Sequence, residues 1–142
     1  MAAFTYTAEA RKLQQRFDTE ALAAAELQVI VHDTLSAADR GFIEQAEMFW
    51  LASVDPQGAP TVSFKGGAPG FVHMPDDNTL LFPCFDGNGM FFSMGNIAST
   101  SQVALLFMDF IRPHRLRVQG TAQLSDEPAI VGLWPGAQFA VQ

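Results

Sequence analysis

Apolar positions in the first part of the chain recur at helical spacing. Leu13 and Phe17 stand four apart and share a face. Residues 21–35 are rich in alanine and leucine, and Leu22, Leu27, Ile30 and Val31 fall on one stripe, which predicts a helix. Ser36-Ala37-Ala38-Asp39 has the form of a capping box with Asp in place of Glu, so a further helix should start there and present Phe42, Ile43 and Ala46. Residues 1–47 therefore read as a helical extension.

Beyond residue 47 the period shortens. Short apolar runs with β-branched or aromatic residues occupy 49–54, 60–64, 71–74 and 79–82. Asp55-Pro56-Gln57-Gly58 and Pro75-Asp76-Asp77-Asn78 are turn signals, and Gly66-Gly67-Ala68-Pro69-Gly70 is a flexible bend. A long apolar strand follows at 102–110. Residues 115–124 alternate, with Leu116, Val118, Gly120 and Ala122 on one side and Arg117, Gln119, Thr121 and Gln123 on the other. Short helices are expected at 90–99 and, capped by Ser125 or Asp126, at 126–134. Six strands joined by Gly/Pro turns predict a mainly β, α+β fold: a small six-stranded antiparallel barrel over 48–142 with the helices appended, together one compact unit.

Composition narrows the function. The 142 residues suit one domain, 49% hydrophobic content argues against disorder, and 13 phenylalanines suggest a large core before they suggest a ligand pocket. A formal net charge of -7 speaks against nucleic acid and against an anionic membrane surface as partners. Lys65 is the only lysine or arginine between Arg40 and Arg112. An anionic ligand of that region therefore has few cations to choose from. Cys84 is the single cysteine, so no intrachain disulfide forms. Met1-Ala2-Ala3-Phe4 shows no charged leader before a long apolar run, and no apolar stretch reaches spanning length. A reducing, cytoplasmic setting is the default expectation.

Candidate chemistry is sparse. Ser63-Phe64-Lys65-Gly66-Gly67 ends a strand in a glycine pair beside a cation, which suits close approach of an anionic ligand; a solvated lysine before a turn is the commoner meaning of such a segment. Asp86-Gly87-Asn88-Gly89 ahead of a helix start offers amides to a phosphate, or is an ordinary tight loop; no Lys-Ser/Thr follows, so it is not a Walker loop. Arg112, Arg115 and Arg117 suit phosphate pairing or a solvated strand face. His32, His73 and His114 lack metal-ligand spacing, Cys84 reads as an inert thiol, and Ser93 lacks a hydrolase context.

Between about residues 42 and 124 these segments follow a particular order. It runs through Phe42-Ile43-Glu44, Phe49-Trp50-Leu51-Ala52-Ser53-Val54-Asp55, and Gly58-Ala59-Pro60-Thr61-Val62-Ser63-Phe64-Lys65-Gly66-Gly67. It continues through Asp86-Gly87-Asn88-Gly89-Met90, Ser93-Met94-Gly95-Asn96-Ile97, Val103-Ala104-Leu105-Leu106-Phe107 and Arg115-Leu116-Arg117-Val118-Gln119-Gly120. The ordered set resembles the pyridoxamine 5'-phosphate oxidase-like FMN-binding split-barrel family, and the N-terminal helices resemble those of one bacterial subgroup. The resemblance implies a homodimer with two FMN sites at the subunit interface. Lys65 matches the phosphate-binding strand lysine. Gly87, Asn88 and Gly89 occupy the phosphate loop, where better-known members carry Ser, Arg and Lys. Arg115 and Leu116 match the strand that approaches the flavin ring, from the same or the partner chain, and Ser63 and Asn96 are further cofactor-binding candidates. The activity implied is that of an FMN-dependent oxidoreductase exchanging hydride with NAD(P)H or a small-molecule substrate. The family normally adds a strand and a C-terminal segment that helps true pyridoxamine-phosphate oxidases bind substrate; with Gln142 last in the chain, that reaction is not expected. The alternative is a non-catalytic dimeric module holding flavin or haem, with His73 or His114 as axial candidates.

Overall fold

The first helix starts where Thr7 caps it. In the computed structural model, which describes residues 4–142, the Thr7 hydroxyl accepts a hydrogen bond from the Ala10 amide at 3.1 Å and opens α1 (Ala8–Arg16). The leader expectation at Met1-Ala2-Ala3 lies outside the described residues. Asp18, with φ at 53°, turns the chain into α2 (Glu20–Ile30). The Tyr6 hydroxyl donates to the Ala23 carbonyl at 2.9 Å and ties the segment before α1 to α2. This helix ends at Ile30, short of the expected residue 35. Val29, Ile30 and Val31 are all β-branched, and Val31 takes extended backbone. Residues up to Leu35 form one unit, and Ser36–Gln142 form another.

The second unit begins with the expected capping box. The Ser36 hydroxyl accepts from the Asp39 amide, and the Asp39 carboxylate accepts from the Ser36 amide at 2.8 Å, which starts α3 (Ala37–Gln45). Ile43 of α3 is fully buried. Then follow β1 (Met48–Val54), β2 (Pro60–Gly66), β3 (His73–Asp76), β4 (Thr79–Cys84), α4 (Phe92–Thr100), β5 (Gln102–Asp109), β6 (His114–Thr121), β7 (Leu124–Ser125), α5 (Pro128–Val131) and β8 (Phe139–Val141). The strands form two antiparallel four-stranded sheets, in orders β2-β1-β5-β6 and β3-β4-β8-β7. The fold is thus α+β with antiparallel sheets, and no hydrogen-bonded pairing among the described residues joins one sheet to the other.

Four expectations change in detail. The six expected strands are present, but β7 and β8 bring the total among the described residues to eight. The strand expected over 115–124 is divided: β6 ends at Thr121, the Ala122 amide bonds the Ser101 carbonyl at 2.8 Å, and Leu124 pairs with Val141 in the other sheet. The third strand lies two residues later than expected. Its turn is tightened by the Asp76 carboxylate, which accepts from the Asn78 amide at 2.8 Å and the Thr79 hydroxyl at 3.0 Å. The helix expected over 126–134 is a single turn, with Ser125 accepting from the Glu127 amide at 3.3 Å.

The register of the first sheet sorts its side chains. Phe49, Leu51 and Ser53 of β1, with Leu105 and Phe107 of β5, are buried on one face. Lys65 pairs with Phe49 and Ser63 with Leu51, so both lie on that face; Phe64 pairs with Trp50 and Val62 with Ala52 on the other. Phe49 is the hub of the core. Its ring centroid stands 5.1 Å from that of Phe107, 5.1 Å from Phe82 of the second sheet and 5.8 Å from Phe71. Arg40 adds a polar tie, donating from α3 to the Met74 carbonyl at 2.7 Å and pairing with Asp77 at 3.2 Å. Because Phe49 is fully buried among three rings, Phe49→Ala should destabilise the second unit by about 3–5 kcal/mol, read as a lower urea midpoint at unchanged slope.

Candidate functional site

A groove of about 340 Å³ runs between β2, the end of β4, the loop after it and the first turn of α4. It gathers Ser63, Lys65, Gly87, Asn88 and Gly89. Among the described residues, Lys65 is the one charged side chain lining it. Lys65 is half-buried and forms no salt bridge among the described residues, so its ammonium has no fixed counter-ion.

The loop is shaped for exposed amides. The Asn88 carboxamide oxygen accepts from the Met90 amide at 3.0 Å, which braces the turn. Gly89 has φ at 72°, a conformation that strains any residue with a Cβ. Phe91 then takes left-handed backbone at φ 48° and opens α4 without a side-chain cap. The first-turn amides of α4 thus carry no capping side chain, and this uncapped, positive helix end lines the groove beside Lys65.

Two further groups were not expected here. Ser93, buried on α4, donates its hydroxyl to Ser63 at 2.9 Å and joins the helix start to β2. Cys84 also lines the groove; burial pushes its thiol above the usual range, while the charge of Lys65 pulls the other way. Exposed rings of Phe64, Phe85, Phe91 and Phe92 line the groove as well. The strand alternation carried the signal for Phe64, and the Phe91-Phe92 pair after the glycine loop carried it for the helix start.

The glycine pair after Lys65 also makes room for aromatic rings. A Cβ on Gly66 would lie 2.7 Å from the Phe64 ring, and one on Gly67 would lie 2.6 Å from the Phe71 ring. Both glycines admit aromatic side chains.

The remaining candidates lie elsewhere. Asn96 is buried and donates to the Ser53 hydroxyl at 3.1 Å, holding α4 against β1. Leu116 pairs with Phe107, so it shares the face of Lys65 at the opposite edge of the sheet, three strand spacings or roughly 14 Å away. Arg115 pairs with Met108 on the other face. Within one chain, neither Arg115 nor Leu116 lines the groove. His73 packs edge-on against Trp134 at 5.0 Å, and His114 stacks on Phe42 at 4.0 Å; neither lines the groove. Among the described residues no group of three His, Cys, Asp or Glu is placed to hold a metal ion, and no helix is long and apolar enough to cross a membrane.

Residues 35–137 match the family described as Pyridoxamine 5'-phosphate oxidase. Among solved structures, HupZ of Group A Streptococcus is similar at 19% identity and TM-score 0.60, over 75% of this chain and 86% of that one. A single-site variant of HupZ gives 19% identity and TM-score 0.61, over 75% and 91%. HutZ, the heme storage protein of Vibrio cholerae, is similar at 16% identity and TM-score 0.52, over 76% and 87%. At these identities the likeness is one of fold. No curated protein matches the sequence.

The neighbourhood of Cys84 and Lys65 can be read by alkylation. The iodoacetamide rate of Cys84 should rise with pH through a midpoint above that of an ordinary thiol. In Lys65→Ala the midpoint should move higher still, because the group that favours the thiolate is removed. Asn96→Ala should cost about 1–3 kcal/mol of stability, measured by urea unfolding, because it leaves the buried Ser53 hydroxyl without its donor.

Proposed function

The chain belongs to the pyridoxamine 5'-phosphate oxidase family, and on that premise we propose that it binds FMN in the Lys65 groove and acts as a flavin-dependent oxidoreductase. The observation that carries this reading is the meeting of one half-buried, unpaired ammonium with the glycine loop and the uncapped start of α4. A phosphate needs such a set: a cation, exposed amides and a positive helix end.

The residues present fit that group. Lys65 would hold the phosphate, with the amides of Gly87, Asn88 and Gly89 in place of the charged side chains that a more basic loop would supply. Ser63, hydrogen-bonded to Ser93 at 2.9 Å, also offers a hydroxyl to the groove. Phe64, Phe85, Phe91 and Phe92 offer flat apolar surface to a ring. FMN would supply hydride exchange at its N5. The chain's own part is to bind, orient and exclude water.

The groove alone is half-open and at the small end of ligand sites, which span roughly 300–1,000 Å³. A second copy of the chain supports the reading in two ways. It would cover the exposed Val62 and Phe64 in the groove's wall. It would also bring the partner's Arg115 and the partner's Leu116 to the ring, which neither residue reaches within one chain. The proposal is therefore a homodimer with FMN between the subunits and NAD(P)H or a small molecule as the other reactant. Pyridoxamine phosphate itself is not the proposed substrate.

A second reading, a dimer that holds flavin or haem without turnover, takes its support from HutZ, a heme storage protein of similar fold. Neither His73 nor His114 reaches the groove to serve as an axial ligand, so the flavin reading is preferred.

The test is spectroscopic. Purified protein reconstituted with FMN should show a bound flavin band that NADH or NADPH bleaches. Lys65→Ala should weaken FMN binding about ten-fold or more, the equivalent of roughly 1.5–3 kcal/mol for a lost charged contact. An unchanged affinity in that variant moves the phosphate elsewhere. A haem band, or a flavin that no donor reduces, turns the assignment to the second reading.

A further inference from the structure

A larger cavity, about 570 Å³, opens between β4, the start of β5 and the end of β6, and shares no residue with the Lys65 groove. Part of its wall is apolar, from Leu80 and Phe82 of β4, Val103 and Leu105 of β5 and Val118 of β6, while Asn78, Thr79 and Ser101 add polar groups. Exposed Gln119, Thr121, Gln123 and Gln142 stand around it. Among the described residues no charged side chain lines it.

The cavity is kept open at one position. Gly120 pairs with Val103 in the β5–β6 ladder, on the same face as Val118. A Cβ built on Gly120 meets nothing within 4 Å, and its φ lies outside the left-handed region. Neither backbone strain nor a crowding neighbour therefore demands glycine here. A missing side chain in a strand interior forfeits packing and conformational stability. At Gly120 what it leaves is room.

We propose that this cavity binds an uncharged, largely apolar small molecule bearing a carbonyl or hydroxyl group at its exposed end. The apolar part of the wall shelters the ligand's body. With no charged side chain lining it among the described residues, the cavity disfavours an ion, which would lose hydration with little compensation. Amides and hydroxyls at the mouth can donate or accept, and so suit neutral polar groups. The volume lies within the range of small-molecule sites. This site does not depend on what the Lys65 groove holds.

Nile red, an uncharged dye with one ring carbonyl, is the probe, and anionic 8-anilinonaphthalene-1-sulfonate is its comparator. The full chain should bind Nile red saturably with a blue-shifted rise in fluorescence, and the anionic dye at least ten-fold more weakly. Gly120→Leu and Val103→Phe fill the cavity from neighbouring strands, and each should weaken Nile red binding at least ten-fold. Lys65→Ala should leave it unchanged. On the wild-type protein, Nile red should shift the amide NMR signals of Val118, Gly120 and Thr121, a reading that needs no variant to fold. The proposal is overturned if a folded filling variant binds the dye as wild type does, or if Lys65→Ala loses it. Equal binding of the anionic dye, or amide shifts confined to residues outside the cavity, would also sink it.

Discussion

Phe49 sits where both sheets must meet. Its ring touches Phe107 of its own sheet, Phe82 of the other, and Phe71 in the segment that leads from one to the other. Without hydrogen-bonded pairing between the sheets among the described residues, side-chain packing has to fix their relative position. The groove inherits its geometry from this contact. β2 and α4 supply two of its walls from the first sheet's side, while the end of β4 comes from the second. Lys65 lies directly beside Phe49 in the β1–β2 ladder, so the one cation of the groove is anchored next to the most crowded point of the core.

Much of this was legible in the sequence because local chemistry set it. The capping box at Ser36 and Asp39, the turn at Asp55 to Gly58 and the alternation of β6 each depend on residues close in the chain. The misreadings arise where distant contacts decide. Alternation alone could not reveal that the chain changes sheets after Thr121, because the Ala122 amide is claimed by Ser101 and Leu124 by Val141. The strand of Phe139 to Val141 is three residues long and exists because β4 and β7 both pair with it. Its Ala140 and Val141 are fully buried, yet two small apolar residues at a chain end carry little signal.

The candidate site divides in the same way. Ser63 and Lys65 share a face because they are two apart in a strand, and that rule needs no structure. Their meeting with Gly87 to Gly89 required the topology, for which the ordered family resemblance stood in. Arg115 and Leu116 are adjacent, so a strand must turn them to opposite faces. Asn96 is a cofactor candidate through the family resemblance, and its side chain bonds Ser53 inside the fold.

The lone cation of the groove also shapes how an anion arrives. The chain carries a net charge of -7, so a dianion approaching from afar meets a repulsive field. Lys65 and the helix end attract it only at short range. Added salt acts unequally on the two parts, since screening at physiological ionic strength sets in beyond about 8 Å. It removes the distant repulsion while leaving the partly buried contact more nearly intact. Association with this groove should therefore quicken as salt is first raised, the reverse of the electrostatic steering seen where a basic funnel guides an anionic ligand.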